Sequence, residues 1–195
     1  MTIYFTADTH WSHRLMARLR GFGEDIAAHD RFLVDEWNST VWPGDTVYHL
    51  GDFAWTLDAV REITPQLNGT IILIAGNHDK CWTRRGHERD RRKAREAIDI
   101  YLEAGISHVI SDGQEKMYFE GGGMFTLSHL PAEGDHTENE RYAERRPENK
   151  GKIICGHVHD EWRTFGRQVN VGVDVWDFRP VVAGEVFRVF NEELQ

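Results

Sequence analysis

The chain has 195 residues, a formal net charge of −9, 40% hydrophobic and 28% charged residues, proportions that suit one globular domain over 1–195 with a sizeable core. The acid excess disfavours an extended duplex DNA or RNA partner, whose binding relies on many phosphates neutralised by Lys and Arg, and no apolar run approaches the roughly 18 residues that a membrane helix needs. The opening MTIYFTADTH meets a charge at Asp8 without a basic leader, and two cysteines, Cys81 and Cys155, are too few for a disulfide framework, so a reducing, cytoplasmic location is the expectation.

Short apolar segments alternate with helical patterns, which predicts an α/β or mixed α+β domain. In chain order, strands at 2–7 and 46–50 flank a helix over 24–40, in which Ile26, Phe32, Leu33 and Trp37 roughly share a face. A helix over 56–66 leads to a strand at 70–75, and a helix over 88–104 to a strand at 107–110. Strands at 115–120, 123–128, 152–155, 161–165 and 168–172 follow without helices between them, a pattern of hairpins and meanders. Gly121-Gly122-Gly123 reads as a hairpin turn, and 131–150 as a long polar surface loop.

Potential metal ligands fall where apolar strands stop. TIYFTA is followed by Asp8-Thr-His10, TVYHL by Gly51-Asp52, TIILIA by Gly76-Asn77-His78-Asp79, GMFTL by Ser128-His129, and KIIC by Gly156-His157-Val-His159. Any one of these reads as turn chemistry when taken alone. Together they suggest convergence, because parallel strands present their C-terminal ends at a shared edge where ligands bind. Carboxylates, imidazoles and a carboxamide without thiolates suit Mn²⁺, Fe²⁺, Zn²⁺, Ni²⁺ or Mg²⁺. Leaving aside His78 and Asp79, the seven remaining groups are too many for one tetrahedral ion, whereas two ions roughly 3.5–4 Å apart would use them all in phosphoryl transfer.

In order and type these motifs, spanning residues 8 to 159, resemble the signature of the calcineurin-like metallophosphoesterases. The run Asn170-Val-Gly-Val-Asp-Val-Trp-Asp-Phe-Arg-Pro180 resembles the tail of the small bacterial and bacteriophage branch. The resemblance implies two mixed β-sheets packed as a sandwich with helices outside and two divalent ions, Mn²⁺ foremost, at the strand ends. It implies Asp8, His10, Asp52 and His159 around one ion, and Asp52, Asn77, His129 and His157 around the other, with Asp52 as the bridge of a centre whose hydroxide attacks phosphorus. It also implies His78 beside the phosphate and leaving oxygen, with Asp79 orienting it. Gly76 is expected to let the backbone turn sharply.

The second and third motifs here read Gly51-Asp-Phe-Ala-Trp55 and Gly76-Asn-His-Asp79, unlike the Ser/Thr protein phosphatases, which carry a phosphate-gripping arginine after the second. The expected partner is therefore a small phosphodiester such as a cyclic nucleotide, dinucleotide or RNA end. Phosphomonoester hydrolysis and a nuclease acting on single strands or ends stay open, and a non-catalytic scaffold is disfavoured by the complete ligand set.

Other residues carry less. His13 is expected to start a helix without a catalytic role, and His49 to pack within its strand. His29, His87 and His108 show no pattern. Trp11, Trp55 and Trp82 each follow a motif closely; core or rim packing is expected over a wall for stacking a nucleobase. In 131–150, His136, Arg141, Arg145 and Arg146 are interleaved with Glu138, Glu140, Glu144 and Glu148, so a solvated loop is expected over an anion-steering one.

Overall fold

Along residues 71–75, Ile71, Leu73 and Ala75 face helices while Ile72 and Ile74 face other strands, the period of two that an extended chain imposes. The computed structural model, which describes residues 1–83, 88–135 and 142–192, assembles such strands into two five-stranded sheets. In the first, β1 (Ile3–Thr6), β2 (Thr46–His49), β3 (Thr70–Ile74) and β4 (His108–Ile110) run parallel, and β10 (Val181–Val182) pairs antiparallel with β1. In the second, β5 (Gln114–Phe119), β6 (Gly123–Ser128), β7 (Lys152–Cys155), β8 (Thr164–Phe165) and β9 (Gln168–Asn170) lie in the order β5-β6-β7-β9-β8.

Helices cover the first sheet. Leu33 and Trp37 of α2 (Ile26–Thr40), Val60 of α3 (Leu57–Ile63) and Ala97 and Tyr101 of α4 (Glu88–Glu103) pack with Val47, Ile71 and Leu73. Asp25 caps α2 by accepting from the Ala28 amide at 2.9 Å, satisfying one of the donors a helix start leaves free. The other faces of the strands meet in a second core that holds Phe5, Leu50, Ile74, Leu127, Ile154 and Val169. Val186, Phe187, Val189 and Phe190 of α5 (Ala183–Glu192) close that core. Phe187 stacks on Phe125 at 5.0 Å between ring centroids.

The mixed sandwich flanked by helices matches the expected class, with four corrections. Among the described residues hairpins form only at β5–β6 and β8–β9, whereas β6, β7 and β9 run parallel. The strand expected over 161–165 shortens to Thr164–Phe165. The helix expected over 56–66 ends at Ile63 and tightens into a 3-10 turn over Thr64–Gln66 with Pro65 at its start. Neither α5 nor β10 was expected: their run VVAGEVFRVF is rich in β-branched and aromatic residues and carries a glycine, which hides the helical stripe. Among the described residues no helix is long and apolar enough to cross a membrane.

His49, at the end of β2, does pack inside. It is fully buried and its Nε2 lies 2.9 Å from the Thr9 hydroxyl, which itself donates to the Phe53 carbonyl at 2.8 Å. Burial pulls this imidazole down to about 3, so between pH 6.5 and 3 the unfolded chain binds a proton there that the folded chain refuses, and stability falls as pH falls through that window. In His49→Gln the slope of unfolding free energy against pH, measured by urea titration of metal-free protein between pH 6 and 4, is expected to flatten by up to ~1.4 kcal/mol per pH unit. Equal slopes in the two proteins would remove His49 from the account.

Candidate metal centre

At the shared edge the chain bends abruptly after β1, β2 and β7. Asp8, His10, Asp52, His157 and His159 all sit at φ between 47° and 74°, a left-handed conformation that costs a non-glycine residue roughly 1–3 kcal/mol. The surrounding backbone enforces it. The Asp8 amide donates to Gly51 O, that of His10 to Asp52 O and that of Trp11 to Phe53 O, each at 3.0 Å. Isolated bridges extend the ladder from Trp11 to Ala54 and from Ala7 to Gly172.

Two roles expected from the sequence change here. Gly76 is outside the left-handed region, and a methyl group on it would overlap the Asp52 carboxylate and backbone nitrogen; the glycine makes room for Asp52 rather than freeing a turn. Asp79 does not engage the His78 ring. Its carboxylate accepts from the amides of Asp52 at 2.9 Å, Gly76 at 2.8 Å and Phe53 at 3.0 Å, and from the Tyr101 hydroxyl at 3.2 Å, so it ties the loop after β2 to the loop after β3. Burial and the Asp52 charge push its carboxyl up to about 7, against the pull of those donors.

The side chains then converge. Asp8, His10 and His159 bring one ligand atom each within 4.8 Å of one another, as do Asp8, Asp52 and His129. Asp52 Oδ2 lies 3.6 Å from His10 Nε2 and 3.4 Å from His129 Nε2, while its Oδ1 accepts from the His78 amide at 2.8 Å. His129 donates through Nδ1 to Leu50 O at 2.8 Å, which leaves Nε2 facing Asn77 Oδ1 at 3.0 Å. The Asp8 Oδ2 atom accepts from the His157 amide at 2.8 Å. His157 belongs to neither group: its ring packs edge-on against that of His129 at 5.2 Å between centroids, and its Nε2 faces Asp135 Oδ1 at 3.3 Å. The His78 side chain is 44% exposed at the edge, with Nε2 4.0 Å from Asp52 Oδ2.

These residues fit a cation. Asp8 Oδ1 and both ring nitrogens of His10 are buried without a hydrogen-bond partner, an arrangement that is costly unless something else binds them. Burial raises the Asp8 carboxyl above its ordinary range and holds His10 well below its own. Burial also opposes charge on His129, yet the Asp52 carboxylate overrides it and pushes that imidazole up to about 9. Asp52 thus attracts positive charge at the point where the motifs meet.

Behind the cluster runs a polar chain that the motifs did not disclose. Arg20, at the end of α1 (Arg14–Leu19), has a side chain only 2% exposed. It donates to Asp8 O at 2.6 Å, to Thr9 O at 2.9 Å, and to both carboxylate oxygens of Asp174 at 2.8 Å. Asp174 Oδ2 in turn lies 3.1 Å from His159 Nδ1, which aims Nε2 of that ring toward Asp8 and His10. The Asp174 contacts raise His159 above its ordinary range despite burial. His29, silent in the sequence, joins Arg20 to Asp30, whose carboxylate accepts from the amide and hydroxyl of Ser12.

The tryptophans divide. Trp11 and Trp82 are core residues, and Trp55 is on the rim, 38% exposed, with the His13 ring stacked on it at 4.0 Å. His13 does precede α1 as its N-cap, without a side-chain capping bond. In the long loop, Arg146 pairs with Asp135, and Arg145 donates to Asp112 O and lies over Trp82. His87, His136 and Arg141 lie outside the described residues.

The profile of the calcineurin-like phosphoesterase superfamily domain matches residues 1–186. The Gene 66 protein of Mycobacterium phage L5 is 31% identical over 202 residues, covering 96% of this chain and 93% of the relative. An uncharacterized protein of Methanocaldococcus jannaschii is 36% identical over 212 residues, covering 97% of each. A crystal structure of a protein of unknown function from Aquifex aeolicus superposes with a TM-score of 0.63 at 24% identity, covering 96% of this chain and 98% of that one, a likeness of fold alone. With the sandwich, the strand-end motifs and the paired carboxylate and imidazole groups in place, the chain belongs to the calcineurin-like phosphoesterase superfamily.

Proposed function

We propose that the protein hydrolyses small phosphodiesters with two divalent ions, Mn²⁺ the first to supply, held by Asp8, His10, Asp52 and His159 on one side and by Asp52, Asn77, His129 and His157 on the other. The observation that carries this reading is the place of Asp52 Oδ2, within 3.6 Å of His10 Nε2 and 3.4 Å of His129 Nε2, between the two imidazole groups. The part of His157 rests on the resemblance, since its Nε2 faces Asp135. Bound there, the ions would supply Lewis-acid polarisation of the phosphoryl oxygens and a nucleophile from water at neutral pH.

The chain's own residues do the rest. His78, exposed beside Asp52, hydrogen-bonds the phosphoryl or leaving oxygen, and its backbone amide keeps Asp52 Oδ1 in place. Asp79 fixes the two loops that present Asp52 and Asn77. A diester is favoured over a dianionic monoester because Arg20, the guanidinium buried beside the site, is held by Asp174 and two carbonyls and is not offered to a second phosphate charge.

Metal-stripped protein with Mn²⁺ added back is expected to turn over bis-p-nitrophenyl phosphate faster than p-nitrophenyl phosphate. A monoester rate equal to or above the diester rate would overturn the diester preference. Absence of turnover of either ester with Mn²⁺, Fe²⁺, Zn²⁺, Ni²⁺ and Mg²⁺ would overturn the enzymatic reading.

A further inference from the structure

Beside His10, His78 and His159 opens a cavity of about 560 Å³, within the size range of small-molecule sites. Its far wall is apolar. Leu15 and Leu19 of α1 line it together with Met16, Trp55 and Val158. The two leucines are 55% and 70% exposed, and their separation of four residues places them on one face of the helix. Exposed leucines scattered singly need no account, but two stacked along one face beside a set of convergent polar groups do. Trp55 extends that wall, its ring fixed by the stacked His13. At the mouth stand Asp160 and Glu161, both exposed and lining the cavity, and these carboxylates repel a substituent that carries further negative charge.

We infer that this cavity is the subsite for the organic group of the substrate, and that it selects phosphodiesters bearing an apolar, uncharged aromatic substituent, seated against Leu15, Leu19 and Trp55 while the phosphate lies at His10, His78 and His159. The inference rests on the phosphodiesterase reading for the phosphate end, and adds the chemistry of the group attached to it. It assigns the exposed leucines of α1 a role in specificity and disfavours polyphosphate or oligonucleotide tails as occupants. Because the leucines are solvent-exposed and supply no ligand group, exchanging them leaves the fold and the ligand set intact.

The test uses the full chain and two readouts. In turnover with Mn²⁺, phenyl p-nitrophenyl phosphate and methyl p-nitrophenyl phosphate share a leaving group and differ only in the retained substituent. In calorimetric binding, diphenyl phosphate and dimethyl phosphate differ in the same way and need no catalysis. The aromatic compound is expected to lead at least tenfold in kcat/KM, chiefly through KM, and at least tenfold in Kd. In Leu15→Gln/Leu19→Gln both gaps are expected to shrink to threefold or less, through weaker binding of the aromatic compound. Turnover with no aromatic preference in either readout overturns the cavity inference and leaves the phosphodiesterase reading standing. An aromatic binding gap that the double variant closes, in a protein that turns over neither ester, upholds the cavity and overturns the phosphodiesterase reading. A gap that persists in the double variant overturns the assignment of the leucines.

Discussion

Asp52→Asn is expected to lower Mn²⁺-dependent kcat/KM on bis-p-nitrophenyl phosphate by at least ~10³-fold, a loss of about 4 kcal/mol of transition-state stabilisation. The side chain is 2% exposed, and its Oδ2 lies 3.6 Å from His10 Nε2 and 3.4 Å from His129 Nε2. An amide puts a neutral oxygen or a nitrogen bearing two protons at that position, and neither replaces an anion shared between two cations. The fold is expected to survive. Oδ1 still accepts from the His78 amide, and the shape that Gly76 accommodates is unchanged. Circular dichroism and a urea midpoint close to that of the parent protein would certify the variant as folded. A folded Asp52→Asn protein retaining more than a tenth of the parental kcat/KM would remove Asp52 from the centre of the site.

The second large effect is on stability. Arg20→Leu is expected to cost about 3–5 kcal/mol in metal-free protein, because it leaves a largely buried carboxylate without its guanidinium. The loss also strips the carbonyls of Asp8 and Thr9 of their donors, and these belong to the strained segment that presents Asp8 and His10. Asp174→Asn is the informative companion. It keeps the volume and a hydrogen bond to Arg20 but weakens the carboxylate that aims His159, so a milder loss of stability is expected together with a 10–100-fold fall in Mn²⁺ affinity by calorimetry. Urea unfolding of both variants separates the effects. A cost below ~1 kcal/mol for Arg20→Leu would mean that the buried pair contributes little beyond what a leucine supplies.

How far such features can be read before folding depends on how local their cause is. Asp8, Asp52, Asn77 and His129 were legible because each directly follows an apolar strand, and strand ends in a parallel sheet share an edge. The helices α2 and α4 were legible from their apolar stripes. Arg20 was not, since nothing adjacent to it in sequence distinguishes it from Arg14 or Arg18; its partner Asp174 is 154 residues away. Asp174 lay within a run that resembled a family tail, but its role depends on meeting His159 in space. For Asp79 the resemblance implies His78 as the neighbour it orients, whereas the folded loop turns its carboxylate to backbone amides. The run of β6, β7 and β9 was read as meanders because the sequence shows no helix between them, although the long loop 131–150 supplies the crossover that a parallel pair needs.

The candidate ligand groups are drawn from two sheets. Asp8, His10, Asp52 and Asn77 follow strands of the first, and His129, His157 and His159 follow strands of the second. The seam between them is stitched by the bond from the His157 amide to Asp8 and by that from His129 to Leu50 O. Neither half of the chain therefore owns the site. A fragment ending after β4 would keep the Asp8 and Asp52 carboxylates and lose every imidazole but those of its own loops, so an intact centre becomes a reporter of whether the two halves have docked.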